Sequence, residues 1–260
     1  MTDQASNATD VLGPRGWRRF EAVLFDLDGV LTDTASIHSR AWKSTFDDFL
    51  EHHSATEGSE FVPFDIDTDY RQHVDGRPRF EGVDQFLRSR GVERAWGRPE
   101  DPAGDSTVCG VGNRKNDLVG RILKEEGVDV YPGSLALLHH LAAGGMPMAV
   151  VTSSANGGAV LAAGGIADMF GALVDGNVAV RLGLRGKPHP DPFLQAARQF
   201  GVEPINAVVI EDAISGVRAG KAGGFGLVIG VDRHDDAEAL RAAGADLVVT
   251  DLGDLVSIPA

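Results

Sequence analysis

Five short apolar runs, Ala22–Phe25, Met148–Thr152, Ala207–Ile210, Gly226–Val231 and Leu247–Val249, constrain this chain more than any other feature. Each is too short and too evenly apolar to be an amphipathic helix, and helical stretches separate them. That alternation is the pattern of a parallel sheet covered on both faces. From Tyr131 onward it is regular. Gly133-Ser134 precedes a helix over Leu135–Ala143 that Gly144-Gly145 ends; Asp191-Pro192 reads as an N-cap and N1 pair before Phe193–Phe200, with Gly201 behind it. The expected fold is α/β, with a Rossmann-like parallel sheet core and helices on both faces.

Between the first and second runs lie more than a hundred residues, far beyond one crossover helix. Helix-like stretches at Ala35–Leu50, Gly82–Arg88 and Asn116–Glu126 alternate there with Pro/Gly/Asp-rich loops such as RPEDPAGDS. The interval therefore reads as an inserted α-helical cap domain over 35–130. The core domain takes 19–34 and 131–260, and residues 1–18 read as a polar tail with a Gly-Pro break. Thr34, His38 and Trp42 fall at i, i+4 and i+8, on one helical face that begins beside two aspartates.

Composition narrows the partners. A formal charge of −14 with no Lys/Arg block argues against nucleic acid. Cys109 is the only cysteine, so no intramolecular disulfide can form, and a small semi-apolar role suits it. The first twenty residues lack a secretory layout, and no apolar run approaches the ~20 residues of a membrane span, so a cytoplasmic protein is expected. The adjacent pairs His52-His53 and His139-His140 face different ways on a helix and read as solvated surface.

In open parallel sheets, ligands bind beyond the carboxyl ends of the strands. Asp26, Asp28 and Gly29 follow the first run, Thr152, Ser153, Ser154 and Asn156 close the second, and Glu211 and Asp212 follow the third; Lys187 lies in a loop before a helix. Four carboxylates at one edge would raise one another's pKa unless a cation sat among them. Oxygen ligands without nearby His or Cys point to a hard cation, best Mg²⁺. A lysine and hydroxyls suit phosphate oxygens, and together these groups describe phosphoryl transfer. Taken singly, each has a plainer reading: Asp as an N-cap, Thr-Ser-Ser as a polar turn, Glu-Asp as a helix-dipole complement, Lys187 as solvated surface.

In combination, these motifs resemble the haloacid dehalogenase superfamily of aspartate-nucleophile phosphotransferases. FDLDGVLTDT is similar to its first motif, VVTSSAN to its second, GKPHPD to its third and VIEDAISG to its fourth, spanning roughly Val23 to Val249. DTASIHSRAW, VDGRPR and GNRKND further resemble the hinge and cap motifs of the β-phosphoglucomutase branch. That resemblance implies isomerisation of β-glucose 1-phosphate to glucose 6-phosphate through an aspartyl phosphate and a β-glucose 1,6-bisphosphate.

It also implies roles. Asp26 would be the nucleophile and Asp28 the general acid and base; as i and i+2 on an extended strand, they share a face. Thr152, Ser153 and Lys187 would hold the transferring phosphoryl, with Ser154 and Asn156 beside them. Mg²⁺ would be bound by Asp26, Asp28 through its backbone carbonyl and Asp212, with Glu211 a ligand directly or through water. Arg79 would anchor the distal phosphate, Lys115 and Asn116 would contact the substrate, and Thr34, His38, Trp42 and Gly76 would complete the cap's contribution; Arg77 is a lesser candidate. Two departures from the branch stand out: Asp75 precedes Gly76 where such mutases can carry a lysine, and the cap is longer near Glu51–Asp69 and Arg94–Ser106.

Three other readings compete. A phosphatase would hydrolyse the same aspartyl phosphate with water. A non-catalytic sugar-phosphate binder would keep the scaffold alone, although Asp26, Asp28, Lys187, Glu211 and Asp212 are all present. A dinucleotide enzyme is disfavoured because no G-x-G-x-x-G follows the first run. The expected partner is a small sugar phosphate, and the expected state a monomer.

Overall fold

The structure, a computed structural model, describes residues 11–13, 15–74 and 77–259. Its sheet contains β1 (Ala22–Phe25), β2 (Met148–Val151), β3 (Ala172–Val174), β4 (Ala207–Glu211), β5 (Leu227–Val231) and β6 (Leu247–Val249). All neighbours pair in parallel, in the order β3-β2-β1-β4-β5-β6. β1 is thus central, with Phe25 level with Val150 of β2 and with Ile210 of β4. The chain runs outward from β1 in both directions, which opens a crevice at the carboxyl ends where the order reverses.

Nine helices are described: α1 (Ala35–Glu57), α2 (Arg79–Ser89), α3 (Val108–Glu126), α4 (Pro132–Ala143), α5 (Gly157–Ala163), α6 (Gly176–Leu182), α7 (Asp191–Phe200), α8 (Ile214–Ala222) and α9 (Ala237–Ala243). A π-helical turn covers Tyr70–Val74. On one sheet face Ala22, Leu24, Val209 and Val228 pack with Phe193 and Ala196 of α7, Val217 of α8 and Leu240 of α9. Every residue of β1, β2, β4 and β5 is buried, as expected of a sheet covered on both faces. No helix among the described residues is long and apolar enough to cross a membrane.

The chain divides into two compact units, one over Thr34–Gly127 and one formed by the segments that end at Asp33 and resume at Val128. Residues 128–130, assigned to the cap in the sequence reading, belong with the sheet. Val130 bridges Thr32, and the Asp33 N–H donates to Asp129 O at 3.0 Å. The helical unit has its own aromatic core: Phe46 stacks on Trp42 at 5.0 Å between ring centroids, and meets Phe86 at 4.1 Å and Phe64 at 5.1 Å.

Several expected boundaries move. Residues 15–18 are not tail: Gly16–Arg19 form a 3-10 turn whose Trp17 side chain is fully buried and whose Trp17 backbone N–H donates to Pro259 O at 2.9 Å. Burying a whole indole outweighs the polar character of its neighbours. Residues 1–10 and 14 of that expected tail lie outside the described residues. α3 starts at Val108, eight residues before the expected Asn116, because Thr107 caps it by accepting the Gly110 N–H at 3.0 Å. α4 already includes Gly133 and Ser134, and α7 includes Asp191, with Pro190 in the N-cap position. Asp191 instead pairs with Arg185 at 3.0 Å. The edge strand β3 had no counterpart in the sequence reading: three residues leave no period to read, and its pairing to β2 defines it.

Phe46 has no exposed surface and touches three other rings. Phe46→Ala is expected to destabilise the helical unit by about 3–5 kcal/mol, measured as a lowered urea midpoint followed by tryptophan fluorescence. An unchanged midpoint would mean that this cluster does not hold the unit together.

Candidate active site

The sheet register decides which side chains meet. Asp26 follows β1 and donates its N–H to Ile210 O at 2.9 Å; Thr152 follows β2 and donates to Val174 O at 3.0 Å; Glu211 is the last residue of β4, with Asp212 next. Three adjacent strand ends therefore deliver a carboxylate, a hydroxyl and two further carboxylates to one edge.

Lys187, from the loop before α7, reaches the same edge. It is 7% exposed, and its Nζ donates to an Asp26 carboxylate oxygen and to Val151 O at 3.1 Å, with Glu211 Oε1 at 2.6 Å. The first two contacts are hydrogen bonds and the third is an ion pair. Burial alone would push the Lys187 pKa down, but the Asp26 and Glu211 carboxylates outweigh it and hold the ammonium charged. Burial pushes the Asp26 carboxyl well above the usual carboxylate range; Lys187 opposes this, while Glu211 and Asp28 add to it.

Two glycines make room for the acids. Gly29 has φ +84, and a Cβ there would run into the Asp212 carboxylate. Gly216, in the first turn of α8, is so close to Glu211 that a Cβ would overlap its carboxylate. The other Glu211 oxygen, Oε2, accepts the Ala213 N–H at 2.9 Å. Asp26, Glu211 and Asp212 each offer an oxygen, all within 4.8 Å of one another. One ammonium cannot neutralise this set, and its all-oxygen character fits a hard divalent cation.

Asp28 is tied to the second strand end, with Thr152 Oγ1 donating to its Oδ2 at 3.2 Å. The same hydroxyl accepts the Ser154 N–H at 3.0 Å, and Ser154 Oγ accepts the Asn156 N–H at 3.2 Å. The Thr152–Asn156 turn is thus folded by its own hydroxyls, and Gly176 donates its N–H to Ser154 O at 2.9 Å.

The helical unit gathers a second group. Lys115 on α3 is 5% exposed; its Nζ lies 2.5 Å from His38 Nδ1 and 4.8 Å from the Trp42 ring centroid. An ammonium only donates, so His38 accepts at Nδ1. Thr34 sits in the N-cap position of α1, its carbonyl accepting the His38 N–H at 2.8 Å. Arg79, the first residue of α2, lies with its Cζ 4.6 Å from the Phe80 ring centroid. Burial depresses its guanidinium pKa, against the pull of Cys109 and Asp117, and its Nε is buried without a hydrogen-bond partner. Asn116 neighbours Lys115 on α3, Arg77 is exposed, and Gly76 and Asp75 lie outside the described residues.

The sequence reading missed Arg233, in the loop after β5. Its Nε donates to Gly29 O at 2.7 Å, and its Cζ lies 3.9 Å from the Tyr131 ring centroid. No sequence pattern marks it, since its hydrogen-bond acceptor here is a backbone carbonyl.

The family description haloacid dehalogenase-like hydrolase matches residues 20–224. A protein of Mycobacterium bovis named β-phosphoglucomutase is 48% identical over 241 residues, 92% of each chain. One of the same name from Bacillus subtilis is 34% identical over 236 residues, 90% of this chain and 91% of that one. The crystal structure of β-phosphoglucomutase from Clostridium difficile superposes with a TM-score of 0.71 at 28% identity, covering 91% of this chain and 93% of that one.

Because a Cβ at position 216 would displace the Glu211 carboxylate, Gly216→Ala is expected to weaken Mg²⁺ binding about 10–100-fold. The readout is the Mg²⁺ midpoint for thermal stabilisation. An unshifted midpoint would remove Glu211 from the cation site.

Proposed function

Because the chain belongs to the haloacid dehalogenase-like hydrolase family, in its β-phosphoglucomutase-like branch, we propose that it interconverts β-D-glucose 1-phosphate and D-glucose 6-phosphate. The observation that carries this reading is the 48% identity to a β-phosphoglucomutase over 92% of both chains, coupled to a strand-end cluster suited to phosphoryl transfer.

In the proposed reaction an Asp26 oxygen attacks phosphorus in line. The P–O bond to Asp26 forms as the bond to the leaving sugar oxygen breaks, and Asp28 supplies that oxygen's proton. In the second half, a sugar hydroxyl attacks the aspartyl phosphate, its proton passes to Asp28, and Asp26 is released. The bisphosphate joins the two halves and is regenerated, so atoms and protons balance. Asp28 suits this exchange because it hydrogen-bonds the Thr152 hydroxyl and stands two residues from the nucleophile.

Lys187 and the Thr152, Ser153 and Asn156 groups would hold the phosphoryl oxygens as charge redistributes, with Ser154 bracing the turn. Asp26, Glu211, Asp212 and the Asp28 carbonyl would hold Mg²⁺, which supplies charge neutralisation at the transferring group. In the helical unit, Arg79 would take the phosphate that is not transferred; its buried, unpartnered Nε suits an anion. Lys115, Asn116 and His38 would select the sugar, with Thr34 and Trp42 shaping that group.

A coupled assay for glucose 6-phosphate tests the proposal, run with β-glucose 1-phosphate, Mg²⁺ and a trace of the bisphosphate. Product should form, and Asp26→Asn should abolish it. Release of inorganic phosphate without glucose 6-phosphate would make the chain a sugar-phosphate phosphatase instead.

A further inference from the structure

The turn after β1 is held at three successive carbonyls. Gly29 O accepts from Arg233 Nε at 2.7 Å, Val30 O from Ser134 Oγ at 2.6 Å, and Leu31 O from the Tyr131 N–H at 3.0 Å. Within the turn the Gly29 N–H donates to Thr32 O at 2.8 Å. The Gly29 N–H bond fixes the Asp28–Gly29 peptide and the Arg233 bond fixes the Gly29–Val30 peptide, so together they set the Gly29 backbone angles and the chain direction from which the Asp28 side chain leaves.

Two of the three donors come from the short segment Tyr131–Ser134. The third arrives from β5, by way of a loop shaped to deliver it. Asp232 Oδ1 accepts the N–H groups of His234 at 3.2 Å and Asp236 at 3.0 Å, and Asp235 adopts φ +57. Arg233 Nη1 donates to Thr250 O at 3.2 Å, past β6, while the guanidinium lies on the Tyr131 ring. One rigid fork therefore ties the ends of β5 and β6 to the turn that carries Asp28. Its neighbour Tyr131 is within electrostatic reach of Asp33 and Asp212 as well as Arg233.

Arg233 Nη2 is buried without a hydrogen-bond partner, and the partners found for the side chain are two neutral carbonyls and a ring face. The side chain is half-buried, with its bond to Thr250 O exposed, so these contacts add little stability of their own. Its fixed, planar geometry is what an apolar replacement would lack.

We propose that Arg233 is a positioning residue for proton transfer: by fixing the Gly29 carbonyl it holds the Asp28 carboxylate where the leaving and attacking sugar oxygens need it. The inference rests on the role given to Asp28 above. Arg233 touches no reacting atom, and its effect belongs to the proton-dependent steps rather than to the attack by Asp26.

Leaving groups separate these effects. A sugar alkoxide must be protonated as it departs, whereas acetate, from acetyl phosphate, needs no proton. The full-length protein with Mg²⁺ is assayed for glucose 6-phosphate formation and, by intact mass, for aspartyl-phosphate formation from acetyl phosphate. Arg233→Gln is expected to lower kcat on the sugar phosphate about 10–100-fold while phosphorylation by acetyl phosphate stays near the wild-type rate. Arg233→Lys keeps one donor and the ring contact; it should fall between the two, and it carries the test if Arg233→Gln does not fold.

Asp28→Asn is the reference, expected to show the same split more strongly. If Asp28→Asn shows the split and the folded Arg233 variants lose both reactions in parallel, or neither, the positioning role is overturned and the Asp28 reading stands. If Asp28→Asn shows no split, the Asp28 reading fails and takes the inference with it.

Discussion

Asp26, Asp28, Glu211 and Asp212 crowd one edge of a parallel sheet around a single buried ammonium, Lys187, and the rest of the site is arranged to make that crowding tolerable. Lys187 hydrogen-bonds Asp26 and one strand-end carbonyl and pairs with the Glu211 carboxylate. Gly29 and Gly216 supply space where any side chain would push an acid away. What the ammonium leaves uncompensated is negative charge that a divalent cation would balance, and an anionic phosphoryl group would be held there only with that cation in place.

The fold produces this imbalance through strand order. Because β1 lies between β2 and β4, three segments remote in sequence end side by side, and each contributes its polar residues at the same level. A cluster built this way sits on rigid backbone, and every residue of the three strands is buried. Asp28, to which we assign the proton transfer, is placed differently: it lies beyond the strand, on a turn stapled from outside by Arg233, Ser134 and Tyr131. Rigidity there is supplied by hydrogen bonds to carbonyls instead of by the sheet.

Much of this was legible in the sequence, for reasons that differ by element. β1 and β6 match the apolar runs Ala22–Phe25 and Leu247–Val249 because central or fully buried strands are apolar throughout. The strand-end acids stood out because a carboxylate straight after such a run is hard to bury without a partner. β3 was missed because three residues on a sheet edge carry no period. The start of α3 was hidden by Gly110 and Gly112, which weaken a helical pattern that Thr107 nonetheless caps. Trp17 was read as tail because its burial depends on Pro259 at the other end of the chain. Arg233 was invisible for a related reason: backbone carbonyls accept from any donor, so no motif records the pairing.

The central claim is that the carboxylates and Lys187 make Asp26 a phosphoryl acceptor when a divalent cation joins them. The most direct test is peptide mass spectrometry after brief incubation with acetyl phosphate, with and without Mg²⁺. A phosphoryl adduct confined to the peptide containing Asp26, formed with Mg²⁺ and absent when it is chelated, is the predicted result. An unmodified Asp26 peptide in both samples, or an adduct on a different residue, would contradict it.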